Sequence, residues 1–330
     1  MNANFPTGQA SALPAPFLQF SSGSTPFDVV LVTRNRPEAL AFALPLLIAQ
    51  SEQAQRIIVI DSSDDADPVQ QLIAQQDVSI VHEHAARGSS HQRNLGLRHV
   101  TAPVVFFPGD AARCHPGTTE AMMRIYSRDA DHRIAGVCAA GAGPISGPVP
   151  FHEMAHILQR AQSRPDWLAQ EDAAPAPWLP APRMSFRTDA IVDEGFDETF
   201  RSHDIHADVD ASFKAMRHGI LVEASRARID PHPVPAERTV PFNAALMSAL
   251  NLAFVMARHS ADLPEAAAIR RATKSHLRAR MRMLVPKFGS RRGRAEFHGT
   301  RTALAACDAL FDAPQDLSRT YAALHDQLLK

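Results

Sequence analysis

The segment spanning residues 27–65 constrains the fold of this chain more than any other part of the sequence. Its β-branched run at residues 29–32 suits a strand that is buried on both faces, and Pro37 fits the first turn of a following helix. A second apolar run follows at residues 57–60. Two parallel strands joined by a helix form a right-handed crossover unit. The sequence therefore predicts an α/β protein with a mostly parallel, Rossmann-like sheet flanked by helices.

Polar residues stand where the predicted strands end. Thr33, Asn35 and Arg36 follow the first strand, and Asp61 ends the second. Further on, the apolar run 104–107 leads into Asp110. The alternative is that Asp110 is an ordinary turn residue with no ligand. Ligands of open parallel sheets bind beyond the carboxyl ends of the strands. We therefore expect a ligand site at this edge of the sheet.

The chain divides into three regions by composition. Residues 1–26 are rich in Ser, Gly, Ala and Pro, which predicts a flexible leader. Residues 27–233 hold the predicted strands and form the expected ligand-binding domain. Residues 234–330 are helical in pattern, with one break at residues 286–293, and form the predicted C-terminal helical extension.

Two segments of the central region are predicted to be loops. The polar stretch 82–92, with Gly88 in it, is expected to precede a helix at residues 93–100. The Pro-rich stretch 166–182 contains both tryptophans of the chain. Loops of that length usually serve a function, and we expect this one to be mobile and to close over the site.

Composition excludes several classes of protein. The formal net charge of -1 gives no overall attraction to nucleic acid. The three cysteines lack the spacing of a disulfide framework or a metal site, which indicates reduced thiols and a cytoplasmic location. The N-terminus lacks a signal-peptide pattern, and no apolar run approaches the ~20 residues that span a bilayer. We expect a soluble protein, or one attached peripherally at the inner face of a membrane.

Residues 269–301 form a strongly basic segment, with eleven Lys or Arg and a single acid, Glu296. Apolar residues recur among the arginines, a pattern typical of a helix on an anionic membrane surface. Pairing with acidic groups of the sheet domain is the alternative. Only Phe288 and Phe297 are interspersed among the basic residues, so nucleic acid is not expected as a partner.

Three further residues are chemical candidates. Asp208 and Asp210 lie two apart near a predicted helix start, where Asp208 suits a general base and Asp210 an N-terminal cap. Favourable interaction with the helix dipole explains both equally well. His232, between two prolines, is a candidate metal ligand or a surface loop residue. Asp110 is the candidate ligand for Mg²⁺ or Mn²⁺ because carboxylate oxygens suit hard cations.

The order of these motifs resembles that of the family 2 glycosyltransferases, which have the GT-A fold and use nucleotide-diphosphate sugars. The similarity covers roughly residues 27–233. It rests on six segments. VVLVTRNRPEAL resembles the first strand and turn of the family, IIVIDSSDD the second strand, and RGSSHQRNLGLRHV the A-R-N segment. VVFFPGDAARCHPGTTEAM resembles the D-x-D motif, MSFRTDAIVDEGFDETF the G-F-D-E segment, and HADVDASFKAMRHG the E-D helix.

The resemblance implies a role for individual residues. Asp208 matches the general base of the family. Asp110 and His232 match residues that bind a divalent cation, Mg²⁺ or Mn²⁺. The residues that match the nucleotide-sugar site are Thr33, Asn35, Arg36, Asp61, Arg93, Asn94 and Asp110. Glu198 and its neighbour Asp197 belong to the G-F-D-E segment, for which a structural role is expected.

The resemblance implies an inverting, metal-assisted, hexosyltransferase-like enzyme that acts in cell-surface polysaccharide or glycoconjugate synthesis. Its acceptor would be a glycan, lipid-linked or protein hydroxyl. Pro108 replaces the first acid of D-x-D and Ala207 the first acid of E-D, so the alternative is a weakened or inactive nucleotide-sugar-binding protein. A nucleotidyltransferase is disfavoured because the chain lacks a glycine-rich phosphate loop followed by Lys. A scaffold that acts through its basic helix is the remaining rival.

Overall fold

The computed structural model describes residues 24–200, 204–233 and 240–329. The strands are β1 (Phe27–Thr33), β2 (Arg56–Asp61), β3 (Ile80–His84), β4 (Val104–Pro108), β5 (Ala112–Cys114), β6 (Ile134–Ala140), β7 (Ala173–Pro175), β8 (Arg183–Arg187) and β9 (Ile220–Pro231). The helices are α1 (Pro37–Ile48), α2 (Asp67–Ala74), α3 (Ser89–Leu97), α4 (Thr118–Arg128), α5 (Val149–Gln159), α6 (Ala207–Ala215), α7 (Pro241–Ser260), α8 (Ala266–Leu284), α9 (Arg291–Phe311) and α10 (Leu317–Leu328).

The described strands form one mixed sheet in the order β3-β2-β1-β4-β8-β6-β9-β5, with β7 also paired to β9. The first four strands of that order run parallel to one another, while β8 runs antiparallel to both of its neighbours. The parallel part is buried because β1, β2 and β4 carry apolar side chains on both faces. The α/β fold class with a C-terminal helical extension is confirmed.

The predicted loop at residues 82–92 is wrong at both ends. β3 continues to His84, in parallel register with β2 from Ile80 beside Ile57 to His84 beside Asp61. Backbone pairing with β2 thus keeps a polar stretch in the sheet. At the other end α3 already begins at Ser89, four residues before the predicted start.

The stretch 166–182 is packed against the body of the protein and contains a short helix and β7, so the prediction of an irregular loop is wrong, while its closure over the site stays a prediction. Its first residues form a short 3-10 helix, Asp166–Glu171. Trp178 is only 5% exposed, and its ring meets that of Phe151 edge to face at 5.8 Å. Apolar burial of this size fixes a segment whose composition alone reads as loop.

The C-terminal helices complete the hydrophobic core on one face of the sheet. One continuous cluster joins Phe107 of β4 and Phe196 with Leu250 and Phe254 of α7 and Tyr321 of α10. The helical region is interrupted near residue 263 and near residue 314 in addition to the predicted break. Within the described ranges, none of the helices combines the length and hydropathy needed to cross a membrane.

The predicted division into three regions stays a prediction. The leader falls outside the described residues except for residues 24–26. The shared core means that the sheet region and the C-terminal helices bury apolar surface against each other. That packing places α7 directly behind α6, the helix that carries Asp208.

Candidate functional site

A cleft of about 980 Å³ opens at the carboxyl ends of β1 and β4, between the start of α3 and the start of α6. Five of the predicted site residues line it: Thr33, Arg36, Arg93, Asp110 and Asp208. The parallel strands bring the first turn and the Asp110 turn to one edge, as expected for this topology. Residues that are 175 positions apart in the chain, Thr33 and Asp208, thereby face one space.

Asp110 is the carboxylate at the β4 end of the cleft. The Thr33 hydroxyl donates to its Oδ2 at 3.0 Å, and Arg36 Nη1 lies 3.5 Å from its Oδ1. Its side chain is 12% exposed. Burial raises the pKa of Asp110, against the opposing effects of Arg36 and Thr33. The carboxylate is therefore fixed in place with part of its surface turned to the cleft.

Asp208 is the carboxylate at the α6 end of the cleft. The backbone N–H of Ala181 donates to its Oδ2 and that of Val209 to its Oδ1, both at 3.0 Å. Burial raises the pKa of Asp208, while the Ala181 hydrogen bond and the nearby charge of Arg93 oppose that rise. A carboxylate with a raised pKa and a fixed orientation is suited to accept a proton.

Arg93 connects the start of α3 with the acids near α6. Its Nη1 donates to Ser89 Oγ at 2.6 Å, and its guanidinium carbon lies 5.2 Å from the centre of the Phe196 ring. Burial lowers the pKa of Arg93, and the charges of Asp204 and Asp208 oppose that change. The α6 end of the cleft therefore pairs one cation with two acids.

Sequence reasoning did not select several polar residues that line the cleft, among them Arg87, Ser89 and Asp204, and it gave Glu198, which also lines the cleft, a structural role. Arg87 follows the end of β3, so the rule that singled out Thr33 and Asp61 would also have selected it once the strand end was known. Asp204 accepts a hydrogen bond from the Ser90 backbone N–H at 2.7 Å, a contact that no local pattern signals.

Two predicted residues brace loops beside the cleft and do not line it. Asn35, with a left-handed φ of 51°, donates to Asp64 Oδ2 at 2.8 Å and accepts from the Asp64 N–H at 2.9 Å. Asn94 holds the Gly195 turn, since it donates to the carbonyl of Phe196 and accepts from the Phe196 N–H, each at 2.8 Å. Asn94 also donates to Glu198 Oε1 at 2.8 Å.

Asp61 and His232 also lie outside the cleft lining. Asp61 is fully buried, and its Oδ1 accepts from the backbone N–H and the hydroxyl of Ser63 at 2.8 and 2.6 Å. Its Oδ2 has no partner among the described residues. The His232 ring stacks on Phe42 with centroids 3.7 Å apart, and its backbone N–H donates to the carbonyl of Ala111 at 2.8 Å.

The residues at this edge of the sheet fit a divalent cation only if a bound substrate supplies further oxygen ligands. The described ranges contain no group of three or more His, Cys, Asp or Glu that could hold a metal ion. Asp110 is the carboxylate that faces the cleft beside Arg36. Mg²⁺ is commonly bound through one or two carboxylates together with substrate phosphates. Asp110 alone supplies the minimum of one carboxylate for such a site.

The expectation that Asp210 caps α6 is wrong. His206 occupies the cap position, with a left-handed φ of 74° and no side-chain cap. Asp210 is fully buried behind the cleft, with Lys214 Nζ at 3.1 Å and both Arg258 Nη1 and His259 Nε2 at 3.0 Å from its carboxylate. Burial raises the pKa of Asp210, but these three partners outweigh it and hold the pKa well below its usual range.

Comparison with known proteins gives a family match over part of the chain and a fold. Residues 28–161 match the family described as Glycosyl transferase family 2. No curated protein matches the chain in sequence. Two solved structures share the fold, and both contain Mn²⁺.

The first of these is the crystal structure of GalNAc-T7 with UDP, GalNAc and Mn²⁺, at 11% identity and a TM-score of 0.52. That comparison covers 76% of this chain and 52% of the other, so this chain spans about half the length of that protein. The second is the mannosyltransferase PcManGT from Pyrobaculum calidifontis in complex with GDP-Man and Mn²⁺, at 17% identity and a TM-score of 0.54. It covers 92% of this chain and 86% of the other.

Proposed function

Because residues 28–161 match the model of glycosyl transferase family 2, within a GT-A-type fold, we propose that this protein transfers a sugar from a nucleotide-diphosphate donor to an acceptor hydroxyl. The observation that carries the proposal is that two anchored carboxylates, Asp110 and Asp208, line one cleft. A donor between them would present its diphosphate to one acid and its sugar to the other.

The donor site is proposed at the carboxyl ends of β1, β2 and β4. Arg36 and Arg93 supply positive charge for a diphosphate. Asp61 is fully buried and acts by holding the turn at Ser63, which follows β2. Asn35 and Asn94 act by holding the loops that border the site. The full set of proposed donor residues is Thr33, Asn35, Arg36, Asp61, Arg93, Asn94 and Asp110.

A divalent cation, Mg²⁺ or Mn²⁺, is proposed at Asp110, with His232 as a further ligand. When bound, such a cation supplies positive charge against the diphosphate. Asp110 contributes an oxygen whose position is fixed by Thr33 at 3.0 Å. His232 stacks on Phe42 through the face of its ring, which leaves the in-plane nitrogens as the atoms that would bind the cation.

Asp208 is proposed as the general base. Its carboxylate takes the proton of the acceptor hydroxyl as that oxygen attacks the anomeric carbon. Attack from the face opposite the leaving diphosphate is a single displacement, which inverts the anomeric centre. The hydrogen bonds from Ala181 and Val209 hold the carboxylate toward the cleft during this step.

The direct test replaces Asp208 with Asn and measures sugar transfer. Loss of a positioned base lowers rates by about 100- to 10,000-fold, and we expect kcat to fall within that range. Donor affinity, measured by calorimetry, should change little because Asp208 lies at the acceptor end. The matched control is Asp193→Asn, an exposed carboxylate outside the cleft lining, with unchanged kcat. Near-normal turnover of Asp208→Asn would exclude Asp208 as the base.

The metal proposal has its own test. Donor binding is measured by calorimetry with and without Mn²⁺, for the unmodified protein and for Asp110→Asn. We expect Mn²⁺ to tighten binding to the unmodified protein and to have little effect on the variant, since a neutral amide is a poor ligand for a hard cation. Equal donor affinities with and without Mn²⁺ in the unmodified protein would contradict a metal at Asp110.

The second candidate is a nucleotide-sugar-binding protein with weak or no catalysis. Pro108 and Ala207, at positions where the family carries acids, favour it. Transfer or donor hydrolysis above background distinguishes the enzyme from the binder. A thermal-shift screen of nucleotide sugars would identify the donor in either case, because a ligand of the native state raises Tm.

The biological setting is proposed as cell-surface polysaccharide or glycoconjugate synthesis on the cytoplasmic side of a membrane. The acceptor would be a glycan, lipid-linked or protein hydroxyl. Peripheral membrane contact through residues 269–301 belongs to this setting and is independent of the donor site.

A further inference from the structure

Exposed cations are concentrated where α8 and α9 meet. Residues 278–294, named the basic tip, comprise the end of α8, the short turn Val285–Lys287 and the first turn of α9. Residues 266–295 contain no Asp or Glu. The exposed cations of the basic tip are Arg278, Arg282, Lys287, Arg291, Arg292 and Arg294.

Ion pairs within the protein neutralise two of the three cations in the first half of α8 but leave most of the basic tip charged. Arg270 and Lys274 both pair with Asp308 of α9. In the tip, Arg292 pairs with Glu296 at 2.7 Å. No carboxylate among the described residues pairs with the other five exposed tip cations, of which Arg294 donates to the carbonyl of Phe288. The positive charge of the tip is thus left for an external partner.

The basic tip also exposes apolar side chains. Met283 is 74% exposed, Val285 51% and Phe288 37%. These are three of the six large apolar side chains exposed within the described ranges, gathered in six consecutive positions. The Phe288 ring meets that of Phe297 edge to face at 4.8 Å, which fixes it at the surface. Clustered apolar exposure marks an interaction surface more often than scattered exposure does.

The helix leading into the tip, α8, packs on α7 and lies near the start of α6. Arg280 Nη1 donates to Ser248 Oγ at 3.2 Å, and burial together with Arg280 and His276 lowers the pKa of His206 to about 4. His206 precedes Asp208 by two residues. The helix that carries the tip is thereby connected to the start of α6, the helix that carries Asp208.

We propose that the basic tip docks on the surface of an anionic lipid bilayer. Its cations lie among the headgroups, and Met283, Val285 and Phe288 enter the boundary between headgroups and acyl chains. The proposal narrows the membrane contact from residues 269–301 to residues 278–294. The proposal depends on the proposed sugar transfer in one respect, namely that the acceptor deprotonated by Asp208 would be held at the membrane.

Two other binding partners fit the basic tip less well than a bilayer does. A second copy of the chain would bring two sets of unneutralised cations together, which is repulsive. Single-stranded RNA needs aromatic faces on which bases stack, and in the tip Phe288 is engaged with Phe297. An anionic bilayer offers negative headgroups for the cations and an apolar boundary for the exposed apolar side chains.

The test is flotation of the full-length protein with phosphatidylcholine vesicles, with or without phosphatidylglycerol. We expect binding only to the anionic vesicles, and weaker binding as salt is raised. Combined Arg282→Gln, Lys287→Gln and Arg291→Gln substitutions should weaken it on the order of a hundredfold, at roughly fivefold per cation. Combined Met283→Ser and Val285→Ser substitutions should weaken it at every salt concentration.

The control carries Arg98→Gln, Arg113→Gln and Arg271→Gln, three exposed cations outside the tip, and should float like the unmodified protein. The proposal would be overturned if the unmodified protein did not float, or if the tip variant floated as well as the unmodified protein. It would also be overturned if the control lost as much binding as the tip variant, or if the protein bound single-stranded RNA more tightly than anionic vesicles. Donor binding and Tm should be unchanged in the tip variants. A failure of membrane docking is therefore distinguishable from a failure of sugar transfer.

Discussion

Two aspartates at the cleft differ in how their charge is balanced. Asp110 faces Arg36 at 3.5 Å, whereas Asp208 is held by two backbone N–H groups with Arg93 nearby. Burial raises the pKa of both carboxyls. A raised pKa moves a carboxylate toward the range in which it accepts a proton effectively at neutral pH, which suits Asp208 for proton transfer.

At the residue scale, the pH profile of sugar transfer should report Asp208. The base must be ionised, so kcat/KM should fall as pH drops through a pKa above the usual Asp value of about 3.9. Arg93→Gln removes a charge that lowers the pKa of Asp208, so the acid limb should move to higher pH. An acid limb that stayed in place or moved to lower pH in Arg93→Gln would contradict this assignment.

At the element scale, α3 is positioned by close packing on β1. A Cβ added at Gly96 would lie 2.3 Å from Val30 Cγ1, so the helix approaches the strand more closely than any side chain allows. Gln92, one turn earlier, donates to the carbonyls of Thr33 and Ile60 at 3.0 and 2.8 Å and ties the helix to two strand ends. These contacts place Arg93 at the cleft.

Gly96→Ala should therefore destabilise the protein by about 1–3 kcal/mol through overpacking. Urea unfolding measures the change. Gly143→Ala is the matched control, because nothing lies within 4 Å of its added Cβ, and it should stay within about 0.5 kcal/mol of the unmodified protein. Equal stability of the two variants would show that α3 can move away from β1 at little cost.

At the scale of the whole molecule, a buried charge cluster joins the C-terminal helices to the site. Arg258 of α7 contacts Asp210 at 3.0 Å and also pairs with Asp197 in the turn that Asn94 holds. Asp208 and Asp210 thus sit on one short helix, with the first turned to the cleft and the second to α7. The helical extension supports the site from behind.

Arg258→Met should destabilise the protein by on the order of 3 kcal/mol, since it removes one partner of a fully buried carboxylate while Lys214 and His259 remain. Thermal and urea unfolding measure the loss. The control is Arg270→Met, which breaks a surface pairing with Asp308 and Asp312 and should cost less than about 1 kcal/mol. Similar losses in the two variants would contradict a structural role for the buried cluster.

The pH dependence of stability follows from the same cluster. The folded-state pKa of Asp210 is lowered, so its contribution to stability is complete above the unfolded pKa. It is lost as pH falls from that value through the folded pKa. In Arg258→Met part of that contribution is absent already at neutral pH, so Tm should fall less between neutral and acid pH than in the unmodified protein.

The sequence by itself determined the β1–α1–β2 unit, the sheet edge at which Thr33 and Asp110 meet, and the likeness to family 2 glycosyltransferases. These follow from short-range patterns: apolar runs form buried strands, and polar residues at parallel strand ends share an edge. Only the tertiary structure decided that Asp210 is a buried ion-pair partner, that His232 stacks on Phe42, and that Trp178 is part of the core. Each of these depends on a partner distant in sequence, because burial and charge pairing are set by packing between elements, which no local pattern specifies.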